Sequence, residues 1–259
     1  MYLIDIFLQN QQPEYHQQQF ILLGELIDEW RYNGQILGRE IPVFQAEQED
    51  QQGFGLKVIC PEQHSLLPEH NNSEVNRCLE NLQKCGVFLQ SFQIVADDLM
   101  SDQTNQSDPT WQVLYTTYLR SSSPVVNGDN LAPIPLYKIA QNQPHLSLDL
   151  IKWLEDWQAC DQLQMNGSVL EKSALLEISD INSHLSKHGR ALCQEVEQVS
   201  GVPTYYYLYR IGGDNLSAEQ QRCCPCCGGE WRLNTPIADV FYFKCDHCRL
   251  VSNLSWNFL

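Results

Sequence analysis

An α+β fold in three segments is predicted by three features of this 259-residue sequence. Residues 1–100 carry apolar patterns in the order β-α-β-β-α-β, a long stripe of helical phase fills the middle of the chain, and two Cys-x2-Cys pairs stand near its end. Hydrophobic residues make up 43% of the chain, enough to build packed cores.

In the first segment, Tyr2 to Leu8 reads as a strand. Phe20, Leu23, Ile27 and Trp30 then recur at helical spacing, and Asn33-Gly34 supplies the stop. Ile36 to Phe44 and Phe54 to Cys60 read as strands on either side of a polar turn over Glu47 to Gln52. Asn72-Ser73 offers an N-cap to a helix bearing Val75, Cys78, Leu79 and Leu82, which Gly86 ends before a strand from Val87 to Val95. This order is the split βαβ pattern of a ferredoxin-like sheet, so residues 1–100 are assigned to a ferredoxin-like domain with helices on one face.

Ser101 to Thr110, with Asp108-Pro109, reads as a linker to a second α+β domain over residues 111–218. There Trp111 to Leu119 alternates like a strand, Ser121 to Pro135 forms a long loop, and Leu136 to Ile139 reads as a short strand. Leu150, Trp153, Leu154 and Trp157 mark one face of a helix opened by Ser147 and turned by Asn166-Gly167. Ser168-Val169-Leu170-Glu171 has the form of a capping box, and from Leu170 to Val199 the apolar stripe keeps helical phase for about eight turns. Gly201 and Pro203 end this second arm of a helical hairpin, and Thr204 to Ile211 returns as an aromatic strand. Aromatics suit a half-buried strand, so packing is the preferred reading of Tyr205, Tyr206, Tyr207 and Tyr209 over base stacking. His184 and His188 stand four apart on the long helix, but no third ligand is placed near them, and they are read as structural.

Charge limits the partners. The net formal charge is −16, and it is concentrated at the front: residues 1–110 hold 17 acids against 5 bases, residues 111–218 hold 11 against 7, and residues 219–259 hold 4 against 4. A body this acidic is repelled by phosphate backbones, so any polyanion contact is expected at the C-terminal segment. No apolar run reaches the roughly 18 residues of a membrane span, and the opening residues lack a basic region, so a cytoplasmic protein is expected.

Six of the eleven cysteines fall between Cys223 and Cys248, a distribution that points to metal binding in a reducing compartment and not to a disulfide framework. Cys224-Pro225-Cys226-Cys227-Gly228-Gly229 and Cys245-Asp246-His247-Cys248 supply two thiolate pairs, with Glu230 to Asn234 and Ala238 to Phe243 between them as a hairpin around Thr235-Pro236. That is the layout of a zinc ribbon over residues 219–259, with Cys224, Cys227, Cys245 and Cys248 as ligands of a structural zinc ion. Cys223 and Cys226 form a competing pair, but the register ending at Cys227 puts the glycines directly after the second ligand, where a tight knuckle needs them. Four thiolates leave no open position for activating water, and no nucleophile elbow, phosphate loop or dinucleotide fingerprint is present, so no enzyme activity is expected. Any site assembled from separated residues such as Arg120, Asp129 and His184 would be invisible at this level.

The Cys-Pro-Cys-Cys-Gly-Gly-Glu-Trp run from Cys224, the Phe-Lys-Cys-Asp-His-Cys-Arg-Leu-Val-Ser-Asn run from Phe243 and the Gly-Val-Pro-Thr-Tyr-Tyr-Tyr-Leu-Tyr-Arg run from Gly201 carry a resemblance. The chain resembles an uncharacterised bacterial family described as Zn-ribbon-containing, nucleic-acid-binding proteins, which implies zinc and suggests nucleic acid but brings no catalytic residues. On residues alone, Arg222, Arg232, Lys244 and Arg249 are the candidate nucleic-acid contacts, with aromatic help from Trp231, Tyr242 and Trp256. The first expectation is an interaction protein whose ribbon docks weakly on nucleic acid or a ribonucleoprotein such as the ribosome while its acidic body faces protein. The alternative is an acidic adaptor or inhibitor that binds a basic protein and touches no nucleic acid.

Overall fold

The computed structural model describes residues 1–12, 14–140 and 143–258. It is an α+β protein with two sheets, and the chain divides into two compact units. One comprises Met1–Thr104, Ser121–Ser123 and Pro135–Leu148; the other comprises Asn105–Arg120, Pro124–Ile134 and Asp149–Leu259. Among the described residues no helix is long and apolar enough to cross a membrane.

The first unit runs β1 (Tyr2–Asn10), α1 (Gln17–Tyr32), β2 (Val43–Gln48), β3 (Gln51–Cys60), α2 (Ser73–Lys84) and β4 (Val87–Asp97). Its sheet has the order β2-β3-β1-β4 with every neighbouring pair antiparallel. Alternation along β1 puts Ile4, Ile6 and Leu8 on the face that also carries Phe54, Leu56 and Val58 of β3. Leu23, Leu26 and Trp30 of α1 and Val75, Cys78 and Leu82 of α2 cover that face, all of them buried. Asn72 caps α2 by accepting from the Val75 amide at 2.9 Å, as its sequence position requires.

Extended backbone was expected from Ile36, but β2 begins only at Val43. Gly38, with φ +97°, and Pro42 interrupt the stretch between, where Leu37 makes an isolated bridge to Ile59 and Ile36 fills the core. The turn joining β2 to β3 falls at Glu49 and Asp50, both at positive φ.

Leu136 to Ile139, expected as a strand, is the short helix α3 (Leu136–Ile139). Its side chains meet at a single buried carboxylate: Glu62 accepts from the Tyr137 hydroxyl at 2.6 Å and from the Lys138 ammonium at 2.5 Å. Consecutive strand residues point to opposite faces and cannot share one acceptor in this way. Tyr137 also shares a 3.0 Å hydrogen bond with Ser65, and the Lys138 and Tyr137 contacts hold the Glu62 carboxyl below its usual range against the burial that opposes them.

The second unit holds β5 (Gln112–Leu114), β6 (Val125–Asn127), the part of α4 (Pro144–Asn166) from Asp149 on, α5 (Glu171–Ser179), α6 (His184–Ser200), β7 (Thr204–Tyr207), α7 (Leu216–Gln220), β8 (Arg232–Ile237), β9 (Phe241–Cys245) and β10 (Leu250–Ser252). Its six-stranded sheet has the order β6-β5-β7-β10-β9-β8, so the cysteine-bearing segment continues the sheet begun by β5 to β7. The junction is the parallel pair β7–β10, with Tyr206 opposite Leu250, Tyr207 opposite Val251, and the Leu208 amide donating to the Val251 carbonyl at 2.9 Å.

The stripe from Leu170 to Val199 is two helices and not one. Asp180 accepts from the Asn182 amide at 2.8 Å and Ser183 accepts from the Ser186 amide at 3.0 Å, so the capping residues in Ser179-Asp180-Ile181-Asn182-Ser183 close α5 and open α6. The expected capping box at Ser168 does not form: Leu170, at φ +54°, precedes α5 without a side-chain cap. Gly189 lies inside α6 because no larger residue fits: a Cβ there would stand 2.3 Å from the Tyr206 ring and 2.6 Å from Trp153. The four β7 residues are all buried, with Tyr206 edge-on to Trp153 and Tyr207 tilted against Trp157, so the tyrosine run packs the core. His184 is exposed and His188 half-buried on α6.

Candidate metal centre

Four sulfurs converge where β9 turns into β10. Cys224, Cys227, Cys245 and Cys248 place their Sγ atoms within 4.8 Å of one another, and Cys227 and Cys245 are 3.8 Å apart. A tetrahedron with a metal–sulfur distance of about 2.3 Å has edges of roughly 3.8 Å, and a disulfide would need about 2.05 Å, so the arrangement fits four thiolates around one metal ion and no cross-link. The residues named from the spacing are the ones brought together. Cys223 and Cys226 are exposed outside the set, and His247 is exposed as well.

Local sequence explains the first knuckle. The Gly228 amide donates to the Cys224 carbonyl at 2.8 Å, the Cys224 amide donates to the Gly229 carbonyl at 2.8 Å, and Gly228 sits at φ +72°. The turn so formed aims the Gly229 amide at the Cys227 sulfur. That amide is the first cause, with the neighbouring thiols, of a Cys227 thiol drawn down to about 7. Desolvation and the Cys227 neighbour push Cys248 well above the ordinary thiol range, and desolvation raises Cys245 too. A cation bound among the four sulfurs would hold them as thiolates.

The hairpin beneath the knuckles turns at Ala238 and Asp239, both at positive φ, three residues later than the Thr235-Pro236 turn expected. Thr235 and Pro236 lie within β8, which as the edge strand of its sheet tolerates a residue without an amide proton.

The four basic residues of this segment are placed unequally. Arg222 is withdrawn from the surface: its guanidinium lies 3.9 Å over the Phe243 ring and 4.6 Å over Trp231, pairs with Glu219 at 2.8 Å, and donates to Ser252 and the Asn253 carbonyl. Its burial lowers the guanidinium to about 10 in spite of Glu219, and of the four candidates Arg222 exposes the least side chain to a partner. Lys244 pairs with Asp246 and lies 4.5 Å over Tyr205 and 5.0 Å over Trp111. Arg249 pairs with Glu197 at 3.1 Å and donates to Tyr205. Arg232 is the exposed one of the four; it donates to the Gln220 carbonyl at 3.4 Å and has no acidic partner among the described residues. Trp231 is buried, Tyr242 half-buried and Trp256 61% exposed.

Sequence reasoning missed the buried carboxylate of Glu219. It accepts from Arg210 at 3.1 Å, from Arg222 at 2.8 Å and from the Ser255 amide at 3.3 Å, drawing three parts of the segment to one point. The signal was the i,i+3 spacing of Glu219 and Arg222 on either side of the end of α7. Arg120 and Asp129 are engaged elsewhere: Arg120 donates to the Leu131 carbonyl at 3.0 Å and Asp129 accepts from the Trp111 indole at 2.8 Å.

Family models match three successive segments, each described as a domain of unknown function: residues 1–96 (DUF8589), 106–209 (DUF2310) and 213–258 (DUF8594). No solved structure matches the chain. An uncharacterized protein of Haemophilus influenzae is 60% identical over 261 residues, covering the whole of both chains, and a second from the same organism is 61% identical over 197 residues, covering 76% of this chain and 96% of its own. Identity at this level over full length shows that the chain belongs to the same bacterial family as these Haemophilus influenzae proteins, with its three domains of unknown function.

Proposed function

We propose that this protein is an interaction module in which the four-cysteine site binds a structural zinc ion and an acidic surface engages a basic protein partner. The carrying observation is the fate of the ribbon's cations: Arg222, Lys244 and Arg249 are each paired with an acid of the same chain, and Arg232 is exposed with no acidic partner among the described residues. Since phosphate contacts by basic side chains supply most non-specific nucleic-acid affinity, a ribbon with three of its four cations paired, on a chain of net charge −16, is a poor polyanion site. The same geometry supports zinc in a closed role. Four sulfurs complete its coordination, so the ion contributes folding energy and no bound water. In this reading the β-α-β-β-α-β unit, with strand order β2-β3-β1-β4, is a ferredoxin-like domain carrying most of the negative charge.

Docking on nucleic acid or a ribonucleoprotein is the second reading, favoured by exposed Arg232 and by Trp256, which is 61% exposed. Fluorescence anisotropy with labelled single-stranded RNA and DNA at low salt separates the two. The adaptor reading expects no saturable binding, together with protein capture from a cytoplasmic extract that survives nuclease. Saturable binding that Arg232→Ala abolishes would establish the second reading in its place.

A further inference from the structure

Six sulfurs lie between Cys223 and Cys248 in the chain, and the four-cysteine site uses four of them. Cys226 is left exposed on the turn over residues 225–227, in chain order between the ligands Cys224 and Cys227. Two groups meet its sulfur. From α6, the Arg190 guanidinium donates to it at 3.7 Å. From the ligand set, Cys248 hydrogen-bonds with it, a contact that adds to desolvation and to Cys227 in holding the Cys248 thiol above its ordinary range. Cys226 thus stands outside the coordination but touches a sulfur inside it. The other cysteines outside the set are placed differently: Cys60, Cys78 and Cys193 are buried, Cys85 and Cys160 are half-buried, and exposed Cys223 precedes the turn. Exposure, a neighbouring cation and a second thiol in contact are what set a reactive cysteine apart from a passive one.

We propose that Cys226 is an oxidation site for peroxides, and that its oxidation opens the metal centre by joining it to Cys248. In the first step the Cys226 sulfur attacks one oxygen of the peroxide. An S–O bond forms, the O–O bond breaks, and the displaced oxygen leaves as hydroxide and takes a proton to become water. Arg190 supplies the countercharge that the attacking sulfur and the departing hydroxide need. The sulfur is left as a sulfenic acid, oxidised at the peroxide's expense. In the second step the Cys248 sulfur attacks it: the S–S bond forms, the S–O bond breaks, and the hydroxyl leaves with a proton as a second water. Two thiols and one peroxide thus give one disulfide and two waters. Three ligand sulfurs remain, one short of the closed set that holds a structural zinc ion. The consequence for the metal rests on the zinc reading of the site; the reactivity of Cys226 does not.

The test treats the full-length protein with hydrogen peroxide, follows zinc release with a chromogenic chelator and maps disulfides by tandem mass spectrometry. The expected result is zinc release in step with a Cys226–Cys248 disulfide, reversed by a dithiol reductant. Cys226→Ser is expected to keep its zinc and to slow peroxide-driven release about tenfold, Arg190→Gln to slow it several-fold, and Cys223→Ser to leave it unchanged. Release from Cys226→Ser at the wild-type rate overturns the proposal, as does a disulfide between two ligands that leaves Cys226 reduced. If Cys226→Ser fails to fold by circular dichroism, the disulfide map of the wild-type chain and the rate in Arg190→Gln still decide. A chain that purifies without zinc counts against the metal reading instead, and there a Cys226–Cys248 disulfide upholds Cys226 as the oxidation site while any other pairing overturns it.

Discussion

In the N-terminal unit Leu23, Leu26 and Trp30 of α1 and Val75 and Leu82 of α2 press onto one face of a four-stranded sheet, whose register follows from the alternation of Ile4, Ile6 and Leu8. The strands at the other end of the chain are held by other means. Four sulfurs gather the turns at either end of the β8–β9 hairpin, Arg222 fills the space between Phe243 and Trp231, and Glu219 neutralises it from below. The first region draws its stability from apolar area removed from water; the second places charged groups in its interior and needs each to be matched. The first should therefore be indifferent to metal and tolerant of hydrophobic exchange, and the second should fail when any single partner is lost.

Metal removal gives the largest contrast. Structural zinc in tetrathiolate sites contributes on the order of 10–16 kcal/mol, so a strong chelator is expected to strip amide-exchange protection from β8, β9 and β10 and to loosen β7 beside them. Protection in β1 and β3 is expected to stay as it was; its loss would erase the distinction between the regions. Next is Glu219→Ala, which removes a buried carboxylate and leaves half-buried Arg222 and Arg210 without it, and is expected to cost about 3 kcal/mol in urea unfolding of the second unit. Leu26→Ala, at a position with no exposure, is expected to cost about 2–5 kcal/mol in the first unit, by the same amount with or without metal. Gly189→Ala, which forces a methyl against Tyr206 and Trp153, is expected to cost about 1–3 kcal/mol.

The smallest effect concerns pH. Arg249 holds the Glu197 carboxyl below its ordinary 4.5, so this pair stabilises the fold above that value and the contribution is lost as pH falls through the lowered folded value. Both partners are about a third exposed, and screening limits the pair to under about 1 kcal/mol. Glu197→Gln should accordingly shift the thermal midpoint slightly at neutral pH and leave it unchanged in strong acid.

The same contrast explains which parts were legible in the sequence. Repetition was readable: the helical phase of α1 and α2 and the Cys-x2-Cys spacing follow from rules of geometry that hold wherever such residues stand. The glycines after Cys227 fixed the register against Cys223 and Cys226 because the turn they allow aims an amide at sulfur. What stayed hidden depended on partners far away in sequence. Leu136 to Ile139 reads as a short strand, but it is a helix whose Tyr137 and Lys138 both donate to Glu62, some 75 residues earlier. Arg222 looks like a phosphate ligand until Phe243 and Trp231 enclose it. The break between α5 and α6 was a local signal outvoted by apolar phase, since Asp180 and Ser183 both had the side chains to cap.

Native mass spectrometry with elemental analysis most directly tests the proposal that Cys224, Cys227, Cys245 and Cys248 bind one metal ion. One zinc per chain is predicted, retained in Cys223→Ser and Cys226→Ser and lost in Cys227→Ser and Cys248→Ser. A wild-type chain that purifies with its sulfurs reduced and no metal bound, or a Cys227→Ser variant that keeps its full zinc, would contradict it.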